Sequence, residues 1–406
     1  MQRLSPSSLR LHTAIIGGVI SLILTMGLAR FTYSIALPRM QHALGFNDDL
    51  AGWLAAINFA GYLSGALLSS RLNRQQQRVT LFRVSLFVAV IANALMPLTE
   101  TPTLWSLLRF LSGISSAGGM VAGTSLLMGI LHEHGKPTWI GIHFGGVGVG
   151  IACTAWLLGG APEALAWQTT WYGSACLGLL CLIPALYWLT PSIATTTHAL
   201  AETIKVRHPA FALLLVGYFF TGATFSTETT FMVKALAALP NLQTSASTAW
   251  LLTGLAAAPS CFIWVRLAAR YGHARSLLLA TGLQTFGCLM TLWVDEPLAV
   301  LVGSGLFGFT FMGIVAIVLA LAARLSPQNP AYLMGMLVVA YGIGQILGPL
   351  GSGWWMTYSG NGMDALLVAS VLSISSLLCM GLLTLPRLQL PVDQARAVAS
   401  IHAKTA

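Results

Sequence analysis

The chain has 406 residues, of which 56% are apolar and only 8% are charged. A soluble domain carries about 25% charged residues, so this composition excludes a soluble fold and predicts a polytopic membrane protein. The net charge of +9 would suit a nucleic-acid partner, but the basic residues collect in the loops on one side of the predicted spans, so the charge belongs to membrane topology and nucleic-acid binding has no part in the interpretation.

Hydropathy divides the chain into twelve predicted spans, each long enough to cross the ~30 Å hydrocarbon core of a bilayer. Backbone groups in lipid must be hydrogen-bonded within their own segment, so the spans are predicted to be helices and the protein to be all-α. The spans are placed near residues 13–37, 50–70, 79–98, 104–131, 138–160, 168–189, 209–236, 249–269, 274–294, 298–323, 332–356 and 364–385. The longest polar internal connector, 190–208, separates an N-terminal six-helix bundle at 1–189 from a C-terminal six-helix bundle at 209–385, which a tail at 386–406 follows.

Charge placement predicts the orientation of these spans. With the N-terminus in the cytoplasm, 16 of the 20 lysines and arginines fall on the cytoplasmic side, and seven of the eleven acidic residues fall on the outer side. Basic residues prefer cytoplasmic loops, so the sequence predicts that both termini are cytoplasmic.

Arg30 is the one charged residue between positions 11 and 37, in the first span. A guanidinium well past the bilayer midplane costs roughly 2.5–3.5 kcal/mol on insertion scales. It either faces a wet cavity or a partner, which would mark a substrate or ion pathway, or snorkels to the interface. Tyr33 shares its helix face. Arg109 in the fourth span is a second such cation, which either holds a substrate anion, tunes an acid or snorkels, and the two arginines together favour an anionic or neutral substrate.

Glu228 is the only acidic residue in the interior of a predicted span, the seventh. A carboxyl group between apolar surroundings and a nearby arginine suits a proton-coupling or gating site. The alternative is that it lies at the outer mouth, wet or paired with Lys234. We predict that Glu228 pairs with Arg30 across the two halves when the protein is closed to the outside.

Further polar residues lie inside the spans. Asn58 and Tyr62 are four residues apart on the second span, as are Tyr341 and Gln345 on the eleventh, so each pair shares a helix face. Intramembrane amides of this kind either bridge helices or bind a ligand. His143 on the fifth span either shuttles protons or serves as a neutral donor between helices.

Metal or cofactor sites are not expected. All six cysteines lie inside apolar segments without a Cys-x-x-Cys spacing, which predicts neither disulfides nor a metal site. His132, Glu133 and His134 have metal-like spacing but sit in a short connector without a further ligand, which favours a solvated loop.

The two halves repeat at an offset of about 195 residues, which places Gly27 on Gly222 and Gly146-Val-Gly148 on Gly342-Ile-Gly344. The loop at 65–78 resembles the first signature of the major facilitator superfamily, Gly-x-Leu-x-Asp-Arg-x-Gly-Arg-Arg, and 267–275 resembles its echo in the second half. Ser69 and Ala269 stand at the places of the two signature acids, so both loops lack the carboxylate that the resemblance implies at the cytoplasmic gate. The resemblance implies two six-helix bundles with a site between them near the midplane and alternating access.

A more specific pattern runs through 27–41, 51–66, 259–264 and 341–349, where the chain is similar to the YbfB/YjiJ-like bacterial branch of that superfamily. This resemblance implies a monomeric multi-pass transporter of the bacterial inner membrane, not an enzyme, that moves a small organic solute in either direction, efflux included. We predict proton coupling. An uncoupled facilitator and a non-transporting membrane sensor or scaffold are the alternatives. The residues predicted to bind substrate are Arg30, Tyr33, Asn58, Tyr62, Arg109, Tyr341 and Gln345, and those predicted for proton coupling or gating are Glu228, Arg30 and His143.

Overall fold

The computed structural model describes residues 6–72, 74–159, 166–189, 209–293, 295–325 and 330–385, which form twelve long helices. In the N-terminal half they are α1 (Pro6–Leu22, Ile23–Phe31 and Thr32–Leu44 in one run), α2 (Asp48–Arg71), α3 (Gln75–Leu95), α4 (Pro102–Ala117, Gly118–Ala122 and Gly123–Glu133), α5 (Ile140–Thr154 and Ala155–Gly159) and α6 (Gln168–Trp188). In the C-terminal half they are α7 (Pro209–Ala237), α8 (Gln243–Tyr271), α9 (His273–Met290), α10 (Pro297–Leu325), α11 (Pro330–Ser359) and α12 (Asp364–Leu382). The predicted linker at 190–208 and tail at 386–406 lie outside the described residues.

Eleven of these helices are long and apolar enough to cross a membrane, and α9 is the described helix that falls outside that set. The all-helical, multi-pass architecture is therefore confirmed. A count of twelve membrane spans and the cytoplasmic placement of the termini stay predictions.

The helix bundle has two end faces. The distal face carries the turns at 45–47, 99–101 and 360–363, and the terminal face carries the start of α1 and the turns at 134–136 and 272. The placement of basic and acidic residues predicts that the distal face is the outer side of the membrane.

A π-helical stretch of α1, Ile23–Phe31, ends just beyond Arg30. Wide π turns disturb the regular ladder of backbone hydrogen bonds, and in lipid the freed carbonyl groups need other donors. Two neighbouring helices, α4 and α3, supply them from buried side chains: Ser116 donates to the carbonyl of Thr25 (2.6 Å), Asn93 to Leu28 (3.0 Å) and Ser112 to Ala29 (2.7 Å). The N-terminal half thus fixes the backbone that carries Arg30.

Helices α2 and α4 approach until their backbones touch, and glycines make this possible. A Cβ atom built on Gly61 would lie 2.1 Å from the carbonyl oxygen of Phe110, and one built on Gly113 would lie 2.0 Å from that of Asn58. Small residues allow such close helix packing within a membrane. The contact holds Asn58 and Arg109, on the same two helices, beside each other.

Replacing Gly61 by leucine is expected to lower the free energy of unfolding by about 1–3 kcal/mol, because overpacking forces the two backbones apart. Thermal unfolding of the purified protein in detergent measures the change. Gly305→Leu is the matched control, since a Cβ atom there meets nothing within 4 Å. Equal melting temperatures for the two variants would contradict this account of the α2–α4 contact.

The two halves meet along three helix pairs, α2 with α11, α5 with α8 and α1 with α7. At the distal face Lys234 of α7 forms an ion pair with Asp48 of α2, and the amide of Gln41 donates to the same carboxylate at 2.7 Å. The backbone N–H of Asp49 donates to Thr357 of α11 at 3.0 Å. These bonds join the halves, so the structure is closed at the distal face.

Candidate functional site

The predicted site residues converge on a small void where α1, α2, α4 and α7 meet. The void has a volume of about 10 Å³, room for about one water molecule. The open, wet central cavity that we expected around Arg30 is therefore closed in this structure, because side chains of the two halves pack directly against each other. The void is lined by Arg30, Phe31, Tyr33, Ser34, Ala55, Asn58, Phe59, Arg109, Thr229 and Thr230.

Arg30 is 4% exposed and lies among aromatic rings, so it does not snorkel to the interface. Its guanidinium carbon Cζ lies 4.3 Å from the ring centre of Phe59 and 4.7 Å from that of Tyr62, both on α2. Phe31 and, from the opposite half, Phe225 lie at 5.6 and 5.7 Å. Cation–π contacts of this kind stabilise a desolvated cation. They leave Nε and Nη2 of Arg30 without a hydrogen-bond partner.

Arg109 is 3% exposed and borders the same void. Its Cζ lies 4.5 Å from the ring centre of Tyr33, its Nε donates to the carbonyl of Leu54 at 3.3 Å, and its Nη1 has no partner. The hydroxyl of Tyr33 donates to the carbonyl of Ala51 at 2.9 Å, which fixes the ring beneath the guanidinium. Snorkelling is thus excluded for Arg109 as well.

The site carries two positive charges and no acidic side chain among the residues that line the void. Three guanidinium nitrogens, Nε and Nη2 of Arg30 and Nη1 of Arg109, have no hydrogen-bond partner. A buried charge without a partner costs free energy that a bound counter-ion recovers. The arrangement is therefore suited to bind an anion.

The side-chain amides of Asn58 and Gln345 each keep an oxygen without a hydrogen-bond partner, and that of Asn58 also links two helices. Nδ2 of Asn58 donates to the carbonyl of Arg109 at 2.8 Å, so this side chain bridges α2 and α4, while its Oδ1 has no partner. Gln345 is buried, and its Oε1 has no partner. On α11, Gly344 and Gly348 touch α7, and Gly342 touches α2. Gln345 lies between these two faces around the helix. That position directs Gln345 between the two halves.

Tyr62 and Tyr341 extend the site towards the terminal face. The hydroxyl of Tyr62 donates to the sulfur of Met120 at 3.2 Å, and its ring contacts Arg30. Tyr341 stacks on Tyr218 with ring centres 4.6 Å apart. Its ring is also 6.2 Å from that of Phe225.

Glu228 lies inside the C-terminal half, beside Cys288 of α9 and beside Thr291, which directly follows that helix. It is 0% exposed, and neither carboxyl oxygen has a hydrogen-bond partner. The Thr291 hydroxyl donates instead to the carbonyl of Cys288 at 2.7 Å. On α7, Phe225 and Thr229 reach Arg30 and Ser34 of the other half, whereas Glu228, about 60° and 100° around the helix from those two residues, lies towards Cys288 of α9.

The ion pair predicted between Arg30 and Glu228 is consequently not formed in this closed structure, and that prediction is wrong for it. The alternative partner, Lys234, is paired with Asp48. The prediction rested on Glu228 and Arg30 lying at the same depth in the membrane. It failed because Glu228 lies on the side of α7 that packs against Cys288.

His143 does not reach the void, although it is fully buried. Its Nε2 lies 3.1 Å from the hydroxyl of Thr124 on α4, and its ring packs on Gly18 of α1. It joins three helices of the N-terminal half, which is the place of an interhelical hydrogen-bonding residue.

Sequence reasoning missed Phe225, Thr229 and Ser34, although a signal for them was present. The repeat offset of 195 places Phe225 on Arg30 and Thr229 on Ser34. The structure brings each of these pairs into contact: Phe225 against Arg30, and the Ser34 hydroxyl donating to the carbonyl of Thr229. Residues at equivalent places in the repeat thus meet between the halves.

The chain resembles known transporters in sequence and in fold. A family model described as "Uncharacterised MFS-type transporter YbfB" matches residues 22–381. The benzoate transport protein of Acinetobacter baylyi (strain ATCC 33305 / BD413 / ADP1) is 25% identical over 166 residues, 40% of this chain and 35% of that protein. Two crystal structures of the nucleoside transporter NupG, one of a point mutant, match with TM-scores of 0.70 and 0.69 at 14% and 15% identity. These matches cover 91% and 92% of this chain and 98% and 97% of theirs.

An all-helical, multi-pass chain that this family model matches over most of its length is a membrane transporter of the major facilitator type. Because the family model covers most of the chain, the protein belongs to the YbfB-like family of MFS-type transporters. The match to the benzoate transport protein spans about a third of that relative's length, and the likeness to NupG shows the fold alone.

Proposed function

We propose that the protein is a proton-coupled secondary transporter that carries a small organic anion across the bacterial inner membrane by alternating access. The observation that carries the proposal is the pair of buried guanidiniums, Arg30 and Arg109, which border one void with three unpartnered nitrogens and no carboxylate. An arginine aligns two N–H groups with a carboxylate, which makes it the residue suited to such a ligand.

The relatives are consistent with two kinds of solute, an anion in the benzoate transport protein and a nucleoside in NupG. A nucleoside carries hydroxyl and ring donors as well as acceptors, and it needs no counter-charge. An ionised carboxylate is an acceptor only. Two unpaired cations therefore favour the anion.

Glu228 is proposed as the proton site. Among the described residues, Glu228 is the one acidic residue that is fully buried, and it lies among helices of the C-terminal half. Neither of its carboxyl oxygens has a hydrogen-bond partner. It shares a turn of α7 with Phe225, which touches Arg30, and with Thr229, which accepts a hydrogen bond from Ser34. Protonation of Glu228 can thereby be linked to the closing of the two halves through one rigid helix turn.

The proposal is tested first by binding and uptake of three solutes: benzoate as a monoanion, succinate as a dianion and uridine as a neutral nucleoside. Ligand binding raises the melting temperature of the purified protein by mass action. Proteoliposomes with an imposed pH gradient then report uptake of the solute that stabilises. Stabilisation by one of the acids, together with its gradient-driven uptake, supports the proposal. Uptake of uridine alone would show that the protein is a transporter but that its solute is not an anion.

Replacing Glu228 by glutamine is expected to abolish uphill transport while leaving equilibrium counterflow of the same solute intact, because glutamine cannot gain or lose the coupled proton. Counterflow and gradient-driven uptake are measured on the same proteoliposome preparation. Glu296→Gln, the same substitution on an exposed acid of the distal face, is the control.

Uphill transport retained by Glu228→Gln would assign the proton elsewhere, and the absence of gradient-driven uptake in the unmodified protein would favour the uncoupled facilitator. Failure of every solute to exchange would favour the sensor or scaffold.

A further inference from the structure

One aromatic ring of the C-terminal half lies over the guanidinium of Arg30. The ring of Phe225 lies 5.7 Å from Cζ of Arg30. It meets the rings of Phe31 and Phe59 edge-on, with centres 6.3 and 6.4 Å apart and planes at 83° and 80°. Arg30 is thus enclosed by rings from two helices of the N-terminal half, α1 and α2, and from α7 of the other half, and Phe225 is the ring over Arg30 that crosses the boundary.

Phe225 is held in this position from behind. Its ring centre is 5.0 Å from that of Phe311 and 6.5 Å from that of Phe307, both on α10, and Tyr341 of α11 lies at 6.2 Å. These residues belong to the C-terminal half, so the ring moves with that half. When the halves separate, Phe225 leaves Arg30, Phe31 and Phe59.

The vacated place would have defined chemistry. The aromatic rings of Phe31 and Phe59 would still line it. The guanidinium of Arg30, whose Nε and Nη2 have no hydrogen-bond partner, would line it as well. The unpartnered Nη1 of Arg109 borders the same void. A flat aromatic body fits the rings, and an acceptor-only group fits the three nitrogens.

We infer that Phe225 occupies, in this closed structure, the place that the ring of an aromatic carboxylate takes when substrate is bound. The ring of the substrate displaces Phe225 from Arg30, Phe31 and Phe59, and its carboxylate lies between Arg30 and Arg109. This rests on the proposed function, since it specifies the anion that the same site carries.

The ring preference is tested by calorimetric binding to the purified full-length protein in detergent. The ligands are benzoate, cyclohexanecarboxylate, which keeps the charge and a six-membered ring without π electrons, and benzyl alcohol, which keeps the aromatic ring without the charge. Benzoate is expected to bind at least tenfold more tightly than cyclohexanecarboxylate, and benzyl alcohol is expected not to bind. Equal affinities of the two acids, or binding of uridine instead of both, overturn the inference.

The role of Phe225 is tested with Phe225→Leu, which keeps an apolar side chain and so preserves the packing against α10, and with Phe225→Ala. Because the substrate no longer has to displace an aromatic ring, benzoate is expected to bind about tenfold more tightly to both variants. Phe307→Leu is the control, since that ring packs in the same cluster but is not among those over Arg30. Weaker benzoate binding in Phe225→Leu, or the same gain in Phe307→Leu, overturns the inference.

Failure of this inference and failure of the proposed function give different results. If succinate is bound and transported while benzoate is not, the transporter stands and the aromatic substrate is wrong. If benzoate binds with the expected preference but no solute crosses the membrane, the site is right and the transport function is wrong.

Discussion

Replacing Arg30 by alanine is expected to abolish binding and transport of the anionic solute without destabilising the fold. A hydrogen bond to a charged group contributes about 1.5–3 kcal/mol, so loss of this guanidinium weakens binding by at least ten- to a hundred-fold. The empty protein loses a buried cation that has two unpartnered nitrogens, and its melting temperature is expected to stay equal or rise. Thermal unfolding with and without solute measures both effects.

Two further substitutions sharpen this test. Arg30→Lys keeps the charge but loses the planar group that stacks on Phe59 and Tyr62, so it is expected to bind weakly. Arg266→Ala is the matched control, because Arg266 also lies over a phenylalanine ring, Phe262, at 3.4 Å, but on the exposed end of α8. Solute binding that survives in Arg30→Ala would place the site elsewhere.

Replacing Gly52 by leucine is expected to hold the distal face open and to lower transport at least tenfold. A Cβ atom on Gly52 would lie 2.3 Å from the carbonyl oxygen of Pro349 in α11, and one on Gly353 would lie 2.4 Å from that of Asp48 in α2. A larger side chain forces α2 and α11 apart where Lys234 and Asp48 pair. Solute binding is expected to remain, because Arg30 and Arg109 are not displaced within their own half.

Labelling of a cysteine introduced at Ser34 reports this opening. Ser34 is buried and bonded to Thr229 between the halves, so it is expected to react with a maleimide from the distal side only when Gly52→Leu is also present. Gly351→Leu on α11, the helix that Gly52 touches, is the control, since a Cβ atom there meets nothing within 4 Å. Normal transport by Gly52→Leu, or equal labelling in the control, would show that the distal contact does not gate the protein.

The sequence predicted the helices and the buried cations, because both depend on residue type and position along the chain. Helix ends were less predictable: α1 was expected to end near 37 but continues to Leu44, and α8 begins at Gln243 instead of 249, since helices extend beyond the apolar core into polar sequence. The π-helical stretch at Ile23–Phe31 left no periodic signal.

The partner of Glu228 was not predictable from the sequence, for a physical reason. Position along α7 gives the depth of a side chain, but its direction depends on how the helix is rotated against its neighbours. Packing on α9 turns Glu228 into the C-terminal half, while Phe225, three residues earlier, faces Arg30. Aromatic residues in a membrane span give no distinctive signal of their own, and only the repeat offset connected Phe225 with Arg30.

The π-helical stretch of α1 has a mechanical consequence for the transport cycle. Its carbonyl groups are bonded to side chains of α3 and α4, and Arg109 is fixed by bonds within the same six helices. Arg30 and Arg109, the two charges that would hold the solute, are therefore both fixed to the N-terminal bundle, although the sequence repeat relates the two bundles to each other. In the proposed cycle the solute would stay bound to the N-terminal bundle while the two bundles rock. The C-terminal bundle would open and close access to the solute, and it would carry the proton site, Glu228.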